Sequence, residues 1–237
     1  MSDDVHYIAL KELSSVDLPD GGRVAFCGSF GDDLDVVNTA YVSTDKFVET
    51  YNDDKHGHFE EWLWEQGHTS PFRHQHMRFR IKCPIFVARQ WMKHTVGSAW
   101  NERSGRYVEF ADEYWAPEAW REGAASIKQG SKGPLGLHDQ YAADQLYRDG
   151  MEHALKTYRS LLAHGVCREQ ARAVLPVSMM TELIWTVSLQ ALLHFLQLRL
   201  DAHAQAEIQL YAEAVFKLAK HERGGAFARA LGVIARD

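Results

Sequence analysis

The segment from His76 to Tyr107 limits the possible folds more than any other part of the chain. His76 to Lys82 alternates, with Met77, Phe79 and Ile81 on one side and Arg78, Arg80 and Lys82 on the other. A period of two belongs to a half-buried strand, because successive side chains of an extended chain leave opposite faces. Pro84 then suits the first position of a helix, where its missing N–H is no loss. From Phe86 to His94, stepping about 100° per residue, Arg89, Gln90, Lys93 and His94 gather on one arc with only Phe86 among them. Val87, Ala88, Trp91 and Met92 gather on the other, with Ile85 at its edge. A strand packed on one face thus leads into a helix that buries one face and presents a cationic, hydrogen-bonding one. Gly97-Ser98 breaks this helix, and Asn101 to Arg106 follows as a polar loop. A hydroxyl at Ser104, a closely approachable backbone at Gly105 and a guanidinium at Arg106 can together receive a phosphate.

The rest of the chain reads as short strands followed by helices. Val5 to Leu10 and Val24 to Phe26 are expected strands, separated by the turn Pro19-Asp20-Gly21-Gly22. Asp32 or Asp33 is placed to cap a helix through Val36, Val37 and Ala40 to Val42. Phe59, Trp62, Leu63 and Trp64 mark a second helix, ended by Gly67, and His68 to Phe72 is a turn. Glu109 to Pro134 has little periodicity and is expected to be a surface loop, long enough to act as a lid. A long amphipathic helix follows through Tyr141, Leu146, Met151, Ala154, Leu155, Tyr158 and Leu162, then a short one over Arg168 to Val174. Met179 to Leu200, largely apolar all round, is expected to be a central buried helix, and Ala202 to His221 another helix, with Ile208, Tyr211, Val215 and Leu218 on its apolar side. No repeat or linker interrupts the 237 residues, a length that one domain can hold. The expected fold class is α+β, a single domain over residues 1–237 with a small antiparallel sheet and a largely helical C-terminal half.

The formal net charge of −6 argues against a general nucleic-acid binder, while leaving room for a local cationic pocket. Cys27, Cys83 and Cys167 show no CxxC pattern and read as reduced thiols. Cys83, just ahead of the helix-starting proline, reads as packing. The first residues lack the basic region and long apolar core of a signal peptide. No apolar run reaches about 18 residues, so a cytoplasmic protein without a membrane partner is expected. The 13 histidines include His56/His58 and His74/His76, beside the mixed pair Asp201/His203. None has a spacing that defines a metal site, and no metal is expected. There is no G-x-S-x-G elbow or glycine-rich nucleotide loop. What remains is a set of guanidiniums with informative placement. Arg172 lies on the short helix, and Arg199 ends an apolar one, where an arginine is costly unless paired. His203 shares a face with Arg199 if the helix continues between them. An internal salt bridge from Arg199 to Asp201 or Glu207 is the ordinary alternative.

Arg89-Gln90-Trp91, Lys93-His94-Thr95, Ser98, Asn101-Glu102 and Ser104-Gly105-Arg106-Tyr107 resemble the motif region of the flavin-dependent thymidylate synthases. That family's pattern runs RQW…RHR…S…NE.SGRY. His68 to Phe72, Gly165 to Pro176 and Leu198 to Gln205 resemble further stretches of the same family, in its order, so the similarity spans about Asp33 to Tyr211. The chain departs at Lys93 and Thr95, where the family carries arginines, and at Ser188 and His194, where many relatives carry asparagine. The resemblance implies reductive methylation of dUMP to dTMP, with 5,10-methylenetetrahydrofolate supplying the carbon and NADPH the electrons through FAD. It implies dUMP contacts from Gln90, Trp91, Met92, Lys93, Glu102, Arg103, Ser104, Gly105, Arg106, Arg172 and Arg199, with Arg199 as the catalytic cation at the uracil edge. It implies FAD contacts from His68, Ser70, Lys93, His94, Thr95, Glu102, Ser188, Leu189, Gln190, His194 and His203. It also implies a homotetramer with sites at subunit interfaces, where Arg172 and Arg199 serve a neighbouring chain's pocket. The departures keep open a nucleotide-binding relative that has lost flavin chemistry. The residues alone also admit a helical interaction protein whose cationic face is merely solvated.

Overall fold

The computed structural model of the protein describes residues 12–124 and 130–223. The expected strand Val5 to Leu10 lies outside the described residues. A five-stranded antiparallel sheet forms the centre. Its strands are β1 (Ser14–Asp17), β2 (Arg23–Phe30), β3 (His76–Pro84), β4 (Ser98–Glu102) and β7 (Met180–Ser188), in the order β1-β2-β3-β7-β4. β3 has the expected two faces: Met77, Phe79 and Ile81 are buried, while the Arg78, Arg80 and Lys82 side faces outward. There Arg80 pairs with Glu182 and Glu12, and Lys82 with Glu113 at 2.8 Å.

The position of β7, inside the sheet between β3 and β4, corrects the expected helix from Met179 to Leu200. Thr181, Leu183, Trp185 and Val187 are buried, and Glu182, Ile184 and Thr186 point to the other face. Ile184, apolar on the outer face, hides this alternation in the sequence. The β-branched and aromatic residues of the run fit a pleated surface, and β3 and β4 satisfy the strand's backbone on both sides. The helix starts only at α6 (Leu189–Arg199), where the Ser188 hydroxyl accepts from the Ala191 N–H at 3.3 Å.

The helices cover the inner face of the sheet. α1 (Asp33–Tyr41) starts at a capping box between Asp32 and Asp35, and α2 (His58–Glu65) stops ahead of Gly67. α3 (Ile85–Trp91) buries Val87, Ala88 and Trp91, the arc expected to pack. It ends earlier than the expected His94. Trp91 stacks on Phe195 of α6 at 4.9 Å between ring centroids and meets Trp185 edge-on at 5.3 Å. α7 (Ala206–Arg223) closes this core with Ile208, Tyr211, Val215 and Leu218. The Tyr211 hydroxyl donates to Asp20 at 2.9 Å, tying the helix to the β1–β2 turn.

The expected surface loop from Glu109 to Pro134 contains a hairpin of β5 (Arg121–Gly123) and β6 (Ser131–Pro134). α4 (Leu137–Ala163) buries Met151, Leu155 and Tyr158, but Tyr141 and Leu146, expected on its packed side, are 74% and 75% exposed. The first half of α4 is held by Gln140 and Tyr147, which bond to Trp120 and Trp115, while Tyr141 and Leu146 stay exposed among the described residues. α5 (Arg168–Ala171) and a tight turn at Arg172–Val174 lead back to the sheet. Among the described residues, no helix is long and apolar enough to cross a membrane.

Candidate active site

The turn after α3 meets the start of α6. Gly97 has φ +68°, and a Cβ there would lie 2.4 Å from the Ser188 hydroxyl oxygen. The Ser188 N–H donates to the Gly97 carbonyl at 2.7 Å. Only a glycine permits both the left-handed backbone and this approach. The contact brings Lys93, His94 and Thr95 together with Ser188, Gln190 and His194 around a cavity of about 560 Å³. Arg73 and His76 line it as well, and no carboxylate does. In a chain of net charge −6, that is a wall arranged for an anion.

The Arg199 Nε–H donates to Nε2 of His94, one of the lining residues, at 3.0 Å. His94 is therefore the neutral tautomer carrying its proton on Nδ1. Burial, reinforced by the Arg199 charge, holds its pKa down to about 4. Burial also lowers the pKa of Arg199. The internal salt bridge considered for Arg199 is not what forms: Asp201 pairs with His203 at 3.0 Å, and Glu207 with Arg121 at 2.6 Å. α6 ends at Arg199, so His203 does not share its face and lies exposed beside Asp201.

A second group of expected residues gathers elsewhere on the chain. Asn101 and Glu102 belong to β4 rather than to a loop, because their backbone pairs with β7. Glu102 accepts from the Thr181 hydroxyl at 2.8 Å. In the turn that follows, the Ser104 hydroxyl accepts from the Arg106 N–H at 3.3 Å. Gly105 is packed so closely that an added Cβ would lie 2.3 Å from the Phe110 ring. The Arg106 guanidinium sits 5.0 Å over the Tyr107 ring. Arg172 shares a cavity of about 410 Å³ with Glu102 and Arg103. The expected residues thus line separate cavities within one chain, with Arg106 on a further one beside Glu169.

On α3, the Gln90 side-chain oxygen is buried without a hydrogen-bond partner among the described residues. The side chains of Trp91 and Leu189 lie in the core, so any contact they make with a ligand comes from their backbone. Met92 is half-buried against the same core. His68 is exposed and stacks on Trp62 at 5.4 Å, and Ser70 is exposed at the start of a tight turn. Between them, Thr69 accepts from Gln190 Nε2 at 2.9 Å, and Gln190 Oε1 accepts from Arg73 Nε–H at 2.6 Å. Sequence reading missed Arg73 because the recognised turn ends at Phe72; the available signal was a basic residue directly after it.

Residues 29–222 match the family model described as thymidylate synthase complementing protein. The flavin-dependent thymidylate synthase of Kosmotoga olearia is 44% identical over 199 residues, 84% of this chain and 85% of that one. The chain belongs to the flavin-dependent thymidylate synthase family. The Thermosipho melanesiensis member is 41% identical over 86% of this chain and 87% of its own length. The crystal structure of the UMP/dUMP methylase PolB from Streptomyces cacaoi, bound with 5-Br dUMP, is similar at a TM-score of 0.81 and 30% identity. It covers 92% of this chain and 97% of that one. A flavin cofactor comes with this family, and the acid-free cationic cavity suits a phosphate-bearing one. Cys83 is buried and burial pushes its thiol well up, which leaves it inert beside a thymidylate synthase site.

Proposed function

We propose that the protein is a cytoplasmic enzyme that reductively methylates dUMP to dTMP. Methylenetetrahydrofolate supplies the carbon, NADPH the electrons, and FAD is the flavin. The observation that carries this reading is Arg199 held by a neutral His94 at the edge of the motif cavity. With Nε engaged, the remaining guanidinium edge is oriented. Placed against the uracil, it stabilises negative charge on the ring without a proton transfer. His94, being neutral, adds no competing charge. When bound, FAD supplies the redox chemistry that reduces the transferred carbon. Lys93, Thr95, Gln190 and His194 line the wall that would hold it, while Ser104, Arg106 and Arg172 suit the nucleotide phosphate. The separation of the His94 cavity, to which Arg199 is bonded, from the cavity of Arg172 supports sites completed between subunits of a homotetramer. The exposed Leu137, Tyr141 and Leu146 on α4 support association too.

The test is a titration of the purified protein with FAD, with and without dUMP, followed by NADPH and then the folate. Expected are a shifted flavin band, faster bleaching by NADPH when dUMP is present, and folate-dependent dTMP. UMP is run beside dUMP because PolB is described as acting on both. Binding of dUMP with no flavin binding would instead identify a relative that has lost flavin chemistry at Lys93 and Thr95.

A further inference from the structure

The Lys93-His94-Thr95 segment brings only one full positive charge to the flavin cavity. His94 is committed to Arg199 as a neutral acceptor, and Thr95 offers a hydroxyl. The cavity nevertheless has a second full cation, Arg73, from an element outside the motif. Arg73 has no carboxylate partner among the described residues. Its Nε–H is fixed by Gln190, which Thr69 holds in turn. This relay orients the guanidinium without neutralising it and leaves its two Nη groups for an incoming group. An arginine held this way on an acid-free wall presents the fork that matches two phosphate oxygens.

We propose that Arg73 is a pyrophosphate-binding residue of the flavin pocket, supplying from the Ser70–Arg73 turn the guanidinium that position 95 lacks. The proposal rests on the flavin reading above. Gln190 and Thr69 are then positioning residues, and the arginine has moved to a different element facing the same cavity.

Stripped wild type, Arg73→Ala and Arg73→Lys are titrated with FAD, riboflavin and dUMP by flavin absorbance and calorimetry, across a range of salt. Loss of a charged hydrogen bond predicts FAD affinity about ten- to a hundredfold weaker in Arg73→Ala, with riboflavin and dUMP affinity unchanged. Arg73→Lys should fall between, and the salt dependence of FAD binding should become shallower in Arg73→Ala. Adding Thr95→Arg to Arg73→Ala should restore most of the loss. Arg73 is exposed, so the variants are expected to melt with the wild type. Equal FAD affinity in wild type and Arg73→Ala, equal weakening of FAD and riboflavin, or weakening of dUMP alone would each overturn the assignment while leaving the flavin reading intact. A wild type that binds no FAD would overturn both.

Discussion

At the scale of residues, the pair His94 and Arg199 has two separable consequences. If Arg199 acts through charge at the uracil edge, as proposed, Arg199→Ala should lower dUMP-dependent turnover by about a hundredfold or more. FAD affinity in the same variant should change little. A flavin titration beside single-turnover dTMP formation separates the two. His94 acts by accepting while neutral. Its folded pKa of about 4 lies below its ordinary value of about 6.5. The unfolded chain therefore binds more protons than the folded one between these values. The contribution to stability is present above about pH 6.5 and is lost as pH falls toward the folded pKa. His94→Gln keeps an acceptor that does not titrate. Urea unfolding should show the stability of wild type relative to His94→Gln shrinking from pH 6.5 to 4, and staying constant above pH 7.

At the scale of elements, the site depends on how β7 turns into α6. Gly97 sits against that junction from the side of α3, and its positive φ and the nearby Ser188 oxygen leave no room for a Cβ. Gly97→Ala should destabilise the protein by about 1–3 kcal/mol and weaken flavin binding, measured by chemical unfolding and by FAD titration. The same junction is where the sequence misled. Ile184 on the outer face and the apolar start of α6 run together into one helical-looking stretch. Whether such a run is strand or helix depends on its partners, and here β3 and β4 flank it. By contrast, β3 and α3 were legible because one face of each meets water, which leaves the period visible in the charges.

At the scale of the whole molecule, Arg199 is bonded to His94 on one cavity while Arg172 lines another, and Leu137, Tyr141 and Leu146 on α4 are exposed. If sites form between subunits, Arg172→Ala and Arg199→Ala proteins, each inactive, should regain activity when refolded together. Recovery of up to about a quarter of wild-type activity is expected, since half the pairs are mixed and each mixed pair keeps one intact site. Sites built within one chain would recover none. The sequence by itself determined the strand–helix unit from His76 to Trp91, the buried faces of α3 and α7, and the motif that marks the family. These follow from local periodicity and residue identity. The tertiary structure decided that Met180 to Ser188 is an interior strand of the sheet, that Arg199 pairs with an imidazole rather than a carboxylate, and that Arg73 lines the same cavity as Lys93, His94 and Thr95. Each of these rests on a contact between residues far apart in the chain, and such contacts leave no periodic trace in either partner.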